Sequence, residues 1–277
     1  MLLSINCFAK INLFLQINNK RLDGYHNLQS LFTIINLYDV LHIKKSPEFS
    51  FNIIGNYSQQ LLADQHNIIN KIWQYFVTNF CLDSDLEIIL DKNIPIGAGL
   101  GGGSSNGAGF ILALNKIFSL NLSLMQLLEI SLKFGSDLPF FLVGKPALVF
   151  GRGEKVVPLN KNLPKLPILL IHPKINLSTA TVFTTKINFS KPFDFNYLQN
   201  LDLINLLSIG NNLENSAISL VPEIGQILTD LHKFQPLVAR MSGSGSSCFA
   251  IFANSNDCNV GYDWFCKNFP HYFVKIV

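Results

Sequence analysis

The residues that speak most directly of chemistry in this 277-residue chain are PIGAGLGGGSSNGAG, from Pro95 to Gly109. Glycines let a backbone turn sharply and come close to a ligand, and the free N–H groups at a following helix start attract phosphate. A strand pattern, LEIILD (86–91), precedes the run, and apolar residues at helical spacing follow from Ala108 to Phe118, with Ser104, Ser105 and Asn106 at the predicted helix start. A glycine-rich linker would not need that strand and helix on either side, so the arrangement points to phosphate cradling. Two better-known phosphate loops fit less well. Gly97, Gly99 and Gly102 satisfy G-x-G-x-x-G, but the dinucleotide fingerprint wants an acid about 20 positions later on a second strand. The first acid after Gly102 is Glu129, inside a predicted helix. A P-loop wants lysine after its second invariant glycine, and that position holds Gly103. The His-Arg-Asp and Asp-Phe-Gly triplets of protein kinases are absent.

The elements that must hold this loop are legible in part. Alternating β-formers over residues 2–17 predict one or two strands ending at an Asn18-Asn19-Lys20 turn, with Lys10 between them. An Asp-Gly turn opens LDGYHNLQSLFTIINL, and VLHIKK and FSFNII are further strand candidates. Ile68, Ile69, Ile72, Trp73, Phe76 and Val77 recur at helical spacing, with Asp64 or Asn67 as caps, and Ser123 with Gln126 reads as a capping box opening a helix to Phe134. Glycines and prolines concentrate over 144–165, which sets an expected boundary between domains 1–157 and 158–277. The second is expected to open on the strand LPILLIHP, to be helical around 197–233 and to end with strands at CFAIFA and YFVKIV.

Composition narrows the function classes. Hydrophobic residues make up 48% of the chain and charged residues 14%, which suits a packed core and not disorder. The net charge of +3 is scattered and marks neither a nucleic-acid surface nor an anionic membrane surface. No run reaches the ~20 apolar residues of a membrane helix, and Lys10 interrupts the apolar start where a signal peptide would not, so the cytoplasm is the expected compartment. Five scattered cysteines form neither a zinc set nor a disulfide framework.

Taken together, these stretches resemble the GHMP kinases (galactose, homoserine, mevalonate and phosphomevalonate kinases). Pro95 to Ser105 looks like that family's second motif, AKINLFL (Ala9 to Leu15) is similar to the first, and MSGSGSSCFAIF (241–252) resembles the third. RLDGYHNLQSLF (Arg21 to Phe32) and GSDLPFFL (135–142) look like segments of a branch whose acceptor is a cytidine diphosphate-linked methylerythritol. The departures are small: Ser136 and Gly107 stand where alanine is usual, Ala98 lies among the glycines, and Met241 replaces leucine. The least matched region is 184–235.

The resemblance implies an α+β, two-lobe GHMP kinase fold, with an N-terminal nucleotide-binding lobe and a C-terminal ferredoxin-like lobe. It implies transfer of the γ-phosphoryl group of ATP to the 2-hydroxyl of 4-(cytidine 5'-diphospho)-2-C-methyl-D-erythritol, in non-mevalonate isoprenoid precursor biosynthesis. Phosphoryl transfer depends mainly on positioning and electrostatic stabilisation. By resemblance Asp137 accepts or orients the hydroxyl proton, while Lys10 holds that carboxylate and the incoming phosphate. Tyr25 and His26 recognise the cytosine, Asn12 is a polar substrate contact, and Thr179 with Phe183 forms the opposite wall. ATP is expected against Pro95, Gly97, Gly99, Leu100, Gly101, Gly102, Gly103, Ser104, Ser105 and Asn106, with Asn67 and Lys92 as purine or ribose neighbours. Mg²⁺ is expected through the ATP phosphates, with no dedicated protein metal site. A homodimer is compatible with the sequence, but no feature requires one. The rival readings are a GHMP kinase for another alcohol, against which DGYH speaks, and a nucleotide-binding protein without turnover, against which Lys10 and Asp137 speak.

Overall fold

The structure, a computed structural model, describes residues 2–277. Chain contacts divide it into two compact units: residues 2–9, 36–96 and 101–144 form the first, and 10–35, 97–100 and 145–277 the second. Two long strands run through both. Strand β1 spans Leu3–Lys20 and pairs with β2, His26–Ser46. The chain does not turn at Asn18-Asn19-Lys20, as the polar composition there suggested. Pairing with β2 carries β1 through those residues, and the turn lies at Arg21–Tyr25, where the Arg21 N–H donates to the Tyr25 carbonyl (2.7 Å) and Gly24 takes φ +85°. Lys10 accordingly sits inside one strand. VLHIKK is likewise the far half of β2, not a separate strand.

In the first unit, residues 40–46 of β2 pair antiparallel with β4 (Asp85–Asp91), and β3 (Ser50–Ile54) pairs parallel on the other side of β4. Alternation along β4 buries Leu86, Ile88 and Leu90. Helix α1 (Ile68–Asn79) lays Ile69, Ile72, Trp73 and Phe76 into the core, as its periodicity predicts, and Asn67 caps it by accepting from the Ile69 N–H. Helix α2 (Gly102–Ile117) starts six residues earlier than the apolar spacing indicates, because the small residues Gly102–Gly109 are themselves helical. Gly107 stands where the resemblance favours alanine because the space is filled: a Cβ there would lie 2.8 Å from Ile68 and 3.1 Å from Leu138. Helix α3 (Leu124–Ser131) opens on the predicted Ser123–Gln126 capping box and ends before Phe134. Helix α4 (Leu138–Val143) follows.

In the second unit, β5 (Ala147–Gly151) pairs antiparallel with residues 28–32 of β2 and with β6 (Lys155–Pro158). Beyond them come β7 (Ile168–His172), five helices, α5 (Thr179–Thr184), α6 (Phe195–Asn200), α7 (Leu203–Ser208), α8 (Glu214–Leu220) and α9 (Pro222–His232), then β8 (Val238–Met241), β9 (Cys248–Ile251), α10 (Ser255–Asn268) and β10 (Phe273–Ile276). The last four strands form an antiparallel sheet in the order β10-β7-β9-β8, which is ferredoxin-like. Its core gathers Leu169, Ile171, Ile224, Leu231, Phe252 and Phe265.

Candidate phosphotransfer site

Within the second unit, β1 presents Lys10 and Asn12 on one face, since alternate strand residues point the same way. Lys10 is only 4% exposed. Its ammonium donates to Asn12 Oδ1 at 2.5 Å and to the Gly99 carbonyl at 3.0 Å, and lies 4.7 Å from the centre of the Phe32 ring. The first part of the glycine loop is fastened here by its carbonyls. Gly97 accepts from the Leu177 N–H, Ala98 from the Ser247 N–H and Leu100 from the Lys10 N–H. Gly99 accepts also from Ser242 Oγ, at 3.0 Å. Gly99 must be glycine: its φ is +74°, and a Cβ would fall 2.2 Å from the Ser242 carbonyl. Leu100 is buried.

The third motif meets the same residues. Gly243, at φ +59°, passes so close that a Cβ would sit 3.1 Å from Asn12 Oδ1 and 3.3 Å from Lys10 Nζ. Ser242 Oγ accepts from the Asn12 N–H at 3.3 Å, and Ser244 shares a 2.8 Å hydrogen bond with Thr179. Ser242, Gly243 and Ser244 are site residues that the sequence reading did not single out, although the motif that carries them was visible. Thr179 lies at the start of α5, exposed.

Tyr25 and His26 follow the Arg21–Tyr25 turn. Tyr25 is 54% exposed, with the Arg152 guanidinium 4.8 Å from its ring centre. The His26 ring lies 4.9 Å from that of Phe183, tilted by 31°, and 6.1 Å from that of Phe189. Burial, with Lys20 adding to it, holds the His26 imidazole below its ordinary pKa. A neutral imidazole offers one donor and one acceptor. The structure thus brings His26 to Phe183 across 157 residues of sequence.

The first unit holds the rest of the loop. Gly101, at φ +69°, is the N-cap of α2 and supplies no capping side chain. The first-turn N–H groups of α2 at Gly102, Gly103 and Ser104 therefore have no cap to compete with an anion. Gly103 is exposed and Ser104 half-buried, whereas Pro95, Ser105 and Asn106 are buried. Asn106 faces inward and donates to Asp39 Oδ2 at 2.8 Å. Lys92, 2% exposed, forms an ion pair with the same fully buried carboxylate. Burial pulls the Lys92 ammonium down, and Asp39 opposes that shift. Asp39 Oδ1 accepts from the Asn93 and Ile94 N–H groups, both at 2.7 Å.

Asp39 therefore ties the residues just after β4 to α2 at Asn106, a role with no sequence signal beyond a lone acid in a strand. Lys92 serves this tie, its ammonium packed so closely against Gly102 that a Cβ there would lie 2.9 Å away. The Asn67 side chain is engaged at the start of α1 and with the Leu62 carbonyl. Asp137 occupies the N-cap position of α4, yet its backbone is already helical and its side chain makes no cap bond. It is half-buried, with its carboxylate not committed to the helix it precedes.

These features, a glycine loop feeding an uncapped helix, a buried lysine on the opposing motif and a ferredoxin-like sheet, define a small-molecule phosphotransferase, and the chain belongs to the GHMP kinase family. Residues 67–145 match the GHMP kinases N terminal domain and residues 194–270 the GHMP kinases C terminal domain. The chain is 34% identical to the 4-diphosphocytidyl-2-C-methyl-D-erythritol kinase of Chelativorans sp. (strain BNC1), over 96% of this chain and 92% of that one. It is 35% identical to the kinase of the same name from Caldicellulosiruptor saccharolyticus, over 91% and 89%. A crystal structure of 4-(cytidine 5'-diphospho)-2C-methyl-D-erythritol kinase superposes with a TM-score of 0.81 at 26% identity, covering 99% of this chain and 98% of that one.

Proposed function

We propose that this chain phosphorylates the 2-hydroxyl of 4-(cytidine 5'-diphospho)-2-C-methyl-D-erythritol with ATP, giving the 2-phosphate and ADP in non-mevalonate isoprenoid precursor biosynthesis. The observation that carries the choice of acceptor is the His26–Phe183 ring pair beside exposed Tyr25. A polyol without a nucleobase would leave this aromatic surface with nothing to recognise, whereas stacking a base contributes ~1 to 3 kcal/mol. The relatives named above carry this activity in their names and extend over nearly the whole chain.

In this reading the uncapped first turn of α2, from Gly101 to Ser104, and the Gly97–Leu100 backbone bind the ATP phosphates. Asn67 and Lys92, the latter in its ion pair with Asp39, border the purine or ribose. The acceptor oxygen forms a bond to the γ-phosphorus as the bond to the β,γ-bridging oxygen breaks, ADP leaves, and the hydroxyl proton passes to Asp137. Lys10 offsets the charge on the moving phosphoryl group with charge-assisted hydrogen bonds. Asn12 contacts the acceptor, and Thr179 closes the side of the pocket beside Phe183.

A Mg²⁺ ion carried by the nucleotide would find a protein oxygen in the hydroxyl of half-buried Ser104, on the first turn of α2, and would supply neutralisation of phosphate charge. Domains 1–157 and 158–277 are part of the same reading, the division falling between the two family matches. So is a cytoplasmic location, and no helix among the described residues is long and apolar enough to cross a membrane.

The test is phosphorus NMR of the product made from the cytidylated alcohol, ATP and Mg²⁺. One new phosphomonoester on the 2-oxygen per ADP is expected. A phosphate elsewhere on the molecule, or ADP without a phosphomonoester, would overturn the proposal.

A further inference from the structure

Lys10 is held by a polar chain that does not end at Asn12. The Asn12 side chain is 1% exposed, and its two ends face different partners: Oδ1 accepts from the Lys10 ammonium, and Nδ2 donates to Ser30 Oγ at 3.0 Å. Ser30, also 1% exposed, donates its own hydroxyl hydrogen to the Phe14 carbonyl at 2.5 Å. With that hydrogen engaged, Ser30 Oγ can only accept from Asn12, since a hydroxyl has one donor. The hydroxyl therefore selects one of the two ways the Asn12 amide can lie. In the selected orientation the carbonyl end meets Lys10. In the other, an NH₂ group would face an ammonium, and two donors would confront each other in a buried site.

We propose that Ser30 is a positioning residue for phosphoryl transfer: by accepting from Asn12 Nδ2 it orients the Asn12 amide, and through it the Lys10 ammonium. All four residues of the chain, Lys10, Asn12, Phe14 and Ser30, lie in one compact unit. Ser30 touches no substrate in this scheme. Two further bonds narrow what it controls. The Asn12 backbone is fixed by Ser242 and Lys10 has a second acceptor in the Gly99 carbonyl, so loss of Ser30 releases the Nδ2 end of Asn12, leaves its Oδ1 held by Lys10 alone and keeps the strand in place. The catalytic meaning of the inference rests on the proposed function, since Lys10 matters to turnover only if this chain is a kinase.

A double-mutant cycle separates orientation from general damage. Aspartate at position 12 accepts at both oxygens, so its orientation towards Lys10 no longer depends on residue 30. Ser30→Ala in the parent chain is expected to lower kcat on the cytidylated alcohol roughly 10- to 100-fold, the scale of an ångström-sized misplacement, with KM for ATP and alcohol nearly unchanged. In the Asn12→Asp background the same change is expected to alter kcat less than about threefold, and Ser30→Thr, which keeps the hydroxyl, to retain most of the parent rate. A second readout needs no substrate: the Cε resonance of ¹³C-labelled Lys10, assigned with Lys10→Arg, should shift in Ser30→Ala and not between Asn12→Asp and the double variant. If the parent chain does not turn over the alcohol, the functional reading falls, and the resonance cycle still decides the role of Ser30. Equal effects of Ser30→Ala in both backgrounds, or none in either, would overturn the proposal.

Discussion

Asp137 and Lys10 carry the strongest demands on single residues. A carboxylate at an N-cap position ordinarily accepts from the first-turn N–H groups, and Asp137 does not. Asp137→Asn should therefore cost the helix little, while kcat falls roughly 10²- to 10⁴-fold; steady-state kinetics with a parallel melting curve would show the two effects apart. His172 makes a different prediction. It is 1% exposed, its Nδ1 faces Ser246 Oγ at 3.2 Å, and burial, assisted by Lys174, pushes its pKa down to about 4 from 6.5. A neutral form favoured in the fold contributes stability above pH 6.5 that is lost as the pH falls towards 4. Linkage puts about 2 kcal/mol of that loss between pH 7.5 and pH 5. Urea unfolding at the two pH values should show the drop in the parent chain and a smaller one in His172→Asn.

Elements decide whether the loop keeps its shape. Gly99→Ala asks for φ +74° from an L residue and a Cβ 2.2 Å from a carbonyl oxygen. That variant should lose ATP binding, or fold poorly, as read by nucleotide titration beside circular dichroism. Asp39→Asn removes the anion from a buried ion pair and leaves Lys92 charged without it. The cost should be about 3 to 5 kcal/mol, measured by denaturant unfolding.

Neither position was equally visible in the sequence. The glycine loop was legible as a phosphate cradle because glycine spacing and a flanking strand and helix report directly on backbone needs. Asp39 was not, because its four donors come from residues 53 to 67 positions away and no local pattern marks them. The start expected for α2 at Ser104–Asn106 lies two residues inside the observed one at Gly102, because glycines carry no periodicity; at Gly107, close packing against Ile68, Ile72 and Leu138 shows why a glycine is tolerated in the helix. Helix α10 was missed because Cys258, Gly261 and Phe265 alone are buried along its 14 residues, too thin a stripe to register as helical periodicity.

At the scale of the molecule, the family and fold were readable because five motifs spread from Ala9 to Phe252 constrain the topology jointly. The wall of the acceptor pocket was less so. Phe189 stands 6.1 Å from His26, inside the region 184–235 that the motifs match least. Arg152, whose guanidinium covers Tyr25, lies in a hairpin that the sequence suggested only as punctuation. In the proposed function, recognition of the base draws on segments distant along the chain.

The decisive measurement is the ratio of kcat/KM for the cytidine diphosphate-linked methylerythritol over the same alcohol without its cytidine, with mevalonate and homoserine as further acceptors. A ratio of at least about 10², collapsing towards unity in a His26→Ala, Tyr25→Ala double variant, is the expected result and corresponds to ~3 kcal/mol of base recognition. Equal turnover of the two alcohols, or preference for mevalonate or homoserine, would contradict it.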